Sequence, residues 1–173
     1  MEGLWAKIGK GFWFVSPLLL VMLLELLSFY PFHLPNMAVI RPCFALVAVY
    51  YFAVYAPWRF GMIMAFAAGL LADSLFMVPF GSYALVFALL FKVVEALRRF
   101  LVDKPFYIVW IGFGLFALAA NLLMWFAVAF VAGRFTAFLP MLVSYSVLVA
   151  IYPFVSFLCF LLLKLLLKVN RYE

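Results

Sequence analysis

Long apolar runs, separated by short breaks of proline, glycine and charged residues, follow one another along the chain. A transmembrane helix needs roughly 20 apolar residues, and each run has about that length. Boundaries taken at the breaks predict six transmembrane helices joined by short loops. These helices cover Phe12 to Tyr30, Ala38 to Ala56, Phe60 to Val78, Ser82 to Leu101, Phe106 to Val131 and Leu139 to Leu163. We therefore expect a single polytopic membrane domain over residues 1–173.

The composition is that of a membrane protein. Of the 173 residues, 72% are hydrophobic and 10% are charged, and the mean hydropathy is +1.30. Soluble domains carry about 25% charged residues, so the predicted fold class is an all-α integral membrane protein. Lys7 and Lys10 precede the first apolar run as in a signal peptide, but residues 25–30 offer no small-residue cleavage site. This predicts a retained first helix.

The positive charges predict the orientation of the six helices, because cytoplasmic loops are enriched in Lys and Arg. If the N-terminus is cytoplasmic, Arg41 and Arg134 lie outside and the other ten of the twelve cations lie inside. Both termini are therefore expected in the cytoplasm. The net charge of +6 then reflects this topology and contact with anionic lipid, and it does not require a nucleic-acid partner.

Asp73 is an acidic residue within the apolar run from Phe60 to Val78, where hydropathy predicts apolar side chains. An ionised Asp at the centre of a transmembrane helix costs about 3 kcal/mol, so such residues usually face a protein partner or a wet cavity. Gly61, Ala65 and Gly69 precede Asp73 at intervals of four residues. Three small side chains and the acid therefore share one helix ridge, which predicts close packing of another helix.

Three further polar residues fall in the outer half of the predicted helices. Glu25 lies roughly 20 Å along the first helix and Asn121 roughly 22 Å along the fifth, while Arg41 lies near the outer end of the second. Asp73 has a similar depth. The cation and the two acids either form a packing ion pair that fixes helix register or line a polar pocket open to the outside.

Metal-binding and catalytic motifs are absent from the sequence. His33 is the sole histidine. Cys43 and Cys159 differ in predicted depth by roughly 25 Å, which excludes a disulfide between them. No HExxH, GxSxG or CxxC motif occurs, so we predict no metal, no cofactor and no enzyme. Lys92 and Glu95, one turn apart near the inner interface, are expected to form an i,i+3 pair.

The central part of the chain resembles a known family. Short glycine- and proline-based motifs occur in the order Arg41-Pro42, Ala56-Pro57-Trp58-Arg59-Phe60-Gly61, Ala65-Phe66, Gly69-Leu70-Leu71-Ala72-Asp73, Pro79-Phe80-Gly81 and Ala84-Leu85. In residue type, order and spacing, these motifs resemble the rod shape-determining membrane protein family MreD. The family often carries glycine near the position of Met77, so the outer loop of this chain is expected to be stiffer than usual.

This resemblance implies a non-enzymatic subunit of the bacterial elongation machinery in the inner membrane. It implies that the protein takes part in cell-shape determination and peptidoglycan synthesis. The implied partners are the periplasmic shape protein MreC, MreB filaments, the polymerase RodA and its class B penicillin-binding transpeptidase. The family is also similar in fold to the substrate-binding subunits of energy-coupling-factor vitamin transporters.

Two hypotheses of different class remain open. The first is a structural adaptor that acts through helix packing or partner contacts, with Arg41 helping Asp73 to fix the packing; its contact residues are Gly61, Ala65, Gly69, Asp73 and Gly81. The second is a small-molecule binding or transport subunit, whose outward pocket is lined by Glu25, Arg41, Asp73 and Asn121.

Overall fold

The computed structural model describes residues 16–28, 42–132 and 138–169, and every regular element within these ranges is an α-helix. The helices are α1 Ser16–Ser28, α2 Ala45–Tyr55, α3 Met62–Phe76, α4 Ser82–Leu101, α5 Phe106–Ala132 and α6 Phe138–Val169. The all-helical class predicted from the hydropathy pattern is therefore confirmed for the described part of the chain.

The helix boundaries agree best with prediction where proline or glycine marks the break. α4 has the predicted bounds, and α5 ends one residue beyond Val131. α6 extends to Val169, six residues past the predicted end at Leu163, because the Leu and Lys residues that follow favour helix. α2 begins at Ala45, so residues 42–44 of the predicted second span are not helical.

Two of the described helices, α5 and α6, are long and apolar enough to cross a membrane. The candidate spans are Phe106–Phe130, with 25 residues, and Phe138–Leu165, with 28. Only 28% of each span is buried inside the molecule, so most of its surface faces outward, unlike a core helix of a soluble protein. α1, α2 and α3 are shorter apolar helices. α4 carries four charged residues in its second half.

The central helix of the fold is α2, which contacts α4, α5 and α6. Ten of its eleven residues are buried, as expected of a helix that is apolar on every side. The Tyr50 hydroxyl donates a hydrogen bond to the Val109 carbonyl at 3.0 Å. The Tyr50 ring packs edge-on against Phe113, with the ring centroids 5.4 Å apart. α2 thus buries a phenol whose polar end is satisfied by α5.

A tight turn over residues 77–81 joins α3 and α4 into a hairpin. Met77 has a φ of 52° and Gly81 a φ of 97°, so both lie in the left-handed region. The backbone N–H groups of Met77 and Val78 donate to the Asp73 carbonyl, which ends α3 in a left-handed cap. Met77 therefore occupies a conformation that glycine adopts at lower cost.

Two smaller predictions are also confirmed. Cys43 and Cys159 are both buried free thiols, with no disulfide between them. Lys92 and Glu95 form an ion pair at 2.8 Å on the exposed side of α4.

Candidate functional site

Gly69 lies where α3 packs closely against α4. A Cβ added at Gly69 would lie 2.4 Å from the Ala84 Cα and 2.6 Å from the Ala84 nitrogen. Both are backbone atoms, which cannot rotate away as a flexible side chain can. Glycine is therefore required at this position, where α3 packs against the first turn of α4.

One turn beyond Gly69, the Asp73 carboxylate caps the N-terminus of α4. Oδ1 accepts a hydrogen bond from the Tyr83 N–H at 2.7 Å. Oδ2 accepts from the N–H groups of Gly81 at 2.8 Å and Ala84 at 3.4 Å. Gly81 holds the N-cap position of α4 and has no side chain that could accept these bonds, so Asp73 supplies the acceptor from the neighbouring helix.

The position of Asp73 reduces the cost of burying its charge. Its side chain is 1% exposed, yet its carboxylate receives three backbone donors. The negative charge also lies at the positive end of the α4 dipole. The arrangement can fix the angle and register of two helices, and it uses up acceptor capacity that a bound ligand would need.

The other predicted contact residues differ in their surroundings. Ala65 is completely buried. Gly61 lies at the start of the ridge and Gly81 lies outside it, at the N-cap of α4; both are only half-buried. A Cβ added at either glycine would meet nothing within 4 Å. The ridge is therefore covered by this chain from Ala65 to Asp73, whereas its start at Gly61 has open space beside it.

Glu25 on α1 is a buried acid of a different kind. It is 0% exposed, and neither carboxylate oxygen has a hydrogen-bond partner within the described ranges. An unpaired buried charge is costly, so this position calls for a cation or a proton. Arg41, the cation predicted to join this cluster, lies outside the described residues.

Asn121 on α5 lines a cavity of about 100 Å³ between α2, α4, α5 and α6. Its Nδ2 donates to the Ala117 carbonyl at 2.8 Å. Tyr83 and Ser144 also line the cavity, but Glu25 and Asp73 do not. In the described part of the chain, no group of three His, Cys, Asp or Glu side chains is placed to hold a metal ion.

Ser28 connects α1 to the start of α2, a role that the sequence reasoning did not assign. Its hydroxyl donates to the Leu24 carbonyl at 2.8 Å and accepts a bond from the Phe44 N–H at 2.9 Å. The second bond satisfies a backbone donor ahead of α2. A serine next to a run of leucines is the available sequence signal, because such hydroxyls commonly bond within their own helix.

Comparison with known proteins assigns the chain to a family. No curated protein and no solved structure matches it. The family model described as rod shape-determining protein MreD matches residues 8–169, nearly the entire chain. This match extends well beyond the motifs between positions 41 and 85, and it includes α1, α5 and α6. The chain therefore belongs to the MreD family of membrane proteins that determine rod shape.

Proposed function

We propose that this protein is a non-enzymatic scaffold of the cell-elongation complex in the bacterial inner membrane. It supports peripheral peptidoglycan synthesis through helix contacts with MreC, and it works with MreB, RodA and a class B penicillin-binding transpeptidase. The family match over residues 8–169 carries this proposal, because it ties the chain to rod shape. The α3–α4 hairpin supports it, since a rigid, closely packed pair of helices suits a scaffold.

The proposed topology is a single domain of six transmembrane helices with both termini in the cytoplasm. Ten of the twelve Lys and Arg residues then lie on the inner side. The likeness to energy-coupling-factor substrate-binding subunits stays a prediction, because no solved structure matches the chain. Cysteine labelling of the two tails in intact cells tests the topology, and labelling of either tail from outside would contradict it.

The proposed MreC contact includes Gly61 at the start of α3. Its surroundings leave space for another helix, because a Cβ added there meets nothing within 4 Å. The next two side chains along the helix, Met62 and Ile63, are 44% and 84% exposed. Helices in membranes associate through small residues of this kind, which allow close backbone approach. The opposite end of the ridge, at Gly69 and Asp73, holds the hairpin in shape.

A bulky substitution at Gly61 tests this contact without disturbing the hairpin. Gly61→Leu should leave the protein folded in the membrane but reduce co-purification of MreC and the return of rod shape in cells lacking the native gene. Ala96→Leu adds similar bulk to another exposed position, on α4, and should change neither. Normal MreC recovery and rod shape with Gly61→Leu would contradict the proposed contact.

The alternative is a small-molecule binding or transport subunit, and the cavity beside Asn121 is the feature that favours it. Its volume of about 100 Å³ is below the 300–1,000 Å³ typical of ligand pockets. Such a space holds on the order of three water molecules. Solute bound to the purified protein and lost with Asn121→Leu would support the alternative; a protein free of solute favours the scaffold.

We also propose that Arg41 neutralises Glu25. Asp73 already receives three backbone donors, whereas Glu25 has no cation partner in the described ranges. Ser28, one turn from Glu25, is hydrogen-bonded to the Phe44 N–H. Arg41 precedes Phe44 by three residues, so chain connectivity keeps their Cα atoms within about 11 Å. A guanidinium group is the cation that we propose for the unpaired Glu25 carboxylate.

A further inference from the structure

Arg98, near the C-terminus of α4, contacts both the end of α2 and the turn that follows it. Its Nε–H donates a hydrogen bond to the Val54 carbonyl at 2.9 Å. Val54 lies in the last turn of α2, where carbonyls lack donors from their own helix, so the cation satisfies one of them. The same guanidinium lies over the Trp58 ring, with Cζ 5.2 Å from the ring centroid. Arg98 therefore holds the α2–α3 turn, residues 56–61, beside the last turn of α4.

These two contacts orient the Arg98 guanidinium and leave most of its donors free. A guanidinium carries five N–H groups in a planar fork, and the Val54 bond uses the one on Nε. Among the described residues, neither terminal amino group of Arg98 forms a hydrogen bond or an ion pair. A planar fork of this kind fits two oxygens of one phosphate or carboxylate group. Because the fork is already held in place, binding such an anion costs less conformational entropy.

Positive charge dominates this end of the molecule. The α2–α3 turn and the α4–α5 turn, residues 102–105, are brought together by Arg98. Three further cations lie in these turns or next to Arg98 in the chain: Arg59, Arg99 and Lys104. The sole acid of the two turns, Asp103, is exposed and forms no ion pair with the cations of the described residues. An anion at Arg98 is therefore attracted by more charges than repel it.

Trp58 places this anion site at the level of lipid headgroups. Its side chain is 59% exposed, and tryptophan is enriched at the boundary between the hydrocarbon and the headgroups. Met62, at the start of α3, and Phe100, near the end of α4, are apolar residues that are also exposed here. Apolar surface thus borders the charged turns. The anion present at such a boundary is the phosphate of a lipid, whereas an acidic peptide segment stays in the water beyond it.

We propose that Arg98, held over Trp58, binds the headgroup phosphate of an anionic phospholipid. In the six-helix topology of the proposed function, on which the orientation rests, the two turns lie on the cytoplasmic side. The lipid therefore comes from the inner leaflet. Its negative charge reduces the repulsion among the cations that the packing of α2, α3 and α4 brings together.

Native mass spectrometry of the full-length protein in detergent tests the site. The probes are palmitoyl-oleoyl phosphatidylglycerol and the matching phosphatidylcholine. The wild type should bind one phosphatidylglycerol roughly tenfold more tightly than phosphatidylcholine. Arg98→Lys keeps the charge but loses the planar fork, so the affinity for phosphatidylglycerol should fall about tenfold.

Lys164→Gln is the control for net charge. It removes an exposed cation from α6, outside the two turns, and should leave the affinity for phosphatidylglycerol nearly unchanged. The opposite pattern, a loss with Lys164→Gln and none with Arg98→Lys, would show attraction by net charge alone and overturn the proposal. Equal affinity of the wild type for both lipids would also overturn it.

A substitution of Trp58 makes the test independent of the bond between Arg98 and α2. Trp58→Leu changes an exposed side chain and keeps both Arg98 and Val54, so the fold should be retained. Binding of phosphatidylglycerol should weaken several-fold, because the guanidinium loses the ring that orients it. Phe100→Leu is the matched control, since Phe100 is an exposed aromatic residue of α4 that does not lie against the guanidinium. Equal lipid binding by these two variants would overturn the proposal.

Two further probes distinguish the source of the anion. Inorganic phosphate and a hexaglutamate peptide offer the fork the same kind of oxygens without a lipid. Tighter binding of either probe than of phosphatidylglycerol would overturn the lipid assignment.

Cell shape separates this proposal from the scaffold function. Trp58→Leu that loses lipid but restores rod shape would leave the scaffold intact and support a distinct lipid site. Selective lipid binding by a protein that fails to recover MreC would contradict the scaffold and still support the lipid site.

Discussion

Two buried acids, on α3 and α1, meet the cost of burial in different ways. Asp73 receives three backbone N–H donors from the start of α4, at 2.7, 2.8 and 3.4 Å. Glu25 is equally inaccessible but has no hydrogen-bond partner within the described ranges. The first acid is satisfied by a neighbour eight to eleven residues away in sequence, whereas the second depends on a group beyond its own helix.

This difference separates two ways of specifying helix packing. At Asp73, a glycine one turn earlier brings the helices close enough for the carboxylate to reach the backbone donors. Geometry and electrostatics therefore support each other, and the contact needs no second charged side chain. Glu25 is buried without such donors. The stability of the packing around α1 therefore depends on the cation or proton that neutralises this acid. The α3–α4 hairpin is expected to be rigid. The packing of α1 around Glu25 is expected to depend on the group that neutralises this acid.

The strongest way to break the hairpin is to add a side chain at Gly69. Gly69→Ala should lower the free energy of unfolding in detergent by about 3 kcal/mol or more, because its Cβ would overlap the Ala84 backbone. Gly61→Ala is the matched control on the same ridge, since its Cβ meets only open space. Denaturant titration measures both variants, and equal stability of the two would contradict the close contact.

The comparison at Glu25 can be sharpened by a double-mutant cycle with Arg41. Glu25→Ala should destabilise the protein by about 3 kcal/mol if it leaves the arginine buried and unpaired. Arg41→Ala should have a similar effect, and the double variant should cost much less than the sum of the two. The readout is again the free energy of unfolding in detergent.

Asn121→Ala provides the control for this cycle. Asn121 is a polar residue on α5 whose amide bonds within its own helix, so its substitution should add independently to that of Glu25. If the changes in the free energy of unfolding for Glu25→Ala and Arg41→Ala are additive, the proposed pair is contradicted. Glu25 would then be buried in its protonated form.

Regular features of the fold followed from the sequence, and contacts between distant residues did not. The bounds of α4 were predicted because Gly81 precedes it and Asp103 with Pro105 follows it, and such breaks act locally. The start of α2 was predicted too early. Phe44, the residue before α2, donates its backbone N–H to the Ser28 hydroxyl of another helix, and hydropathy contains no signal for that bond.

The candidate site shows the same division. Four-residue spacing predicts a ridge that contains Gly69 and Asp73, because the helical period depends on sequence alone. The helix that covers the ridge depends on the turn between α3 and α4. That turn places both Met77 and Gly81 at positive φ, which brings the α4 donors to Asp73. A carboxylate that caps a different helix cannot be recognised from spacing, since cap rules describe neighbouring residues.

The smallest expected effect concerns the Asp73 cap itself. Asp73→Asn keeps one acceptor oxygen and the shape of the side chain, but it loses the charge and part of the hydrogen bonding to Gly81, Tyr83 and Ala84. The free energy of unfolding should fall by about 1–2 kcal/mol. Ser74→Ala is the control, because the exposed Ser74 hydroxyl bonds only to its own helix at Leu70. Hydrogen exchange at the Tyr83 amide should rise in Asp73→Asn and stay unchanged in the control. If exchange there is the same in both variants, the carboxylate does not hold the first turn of α4.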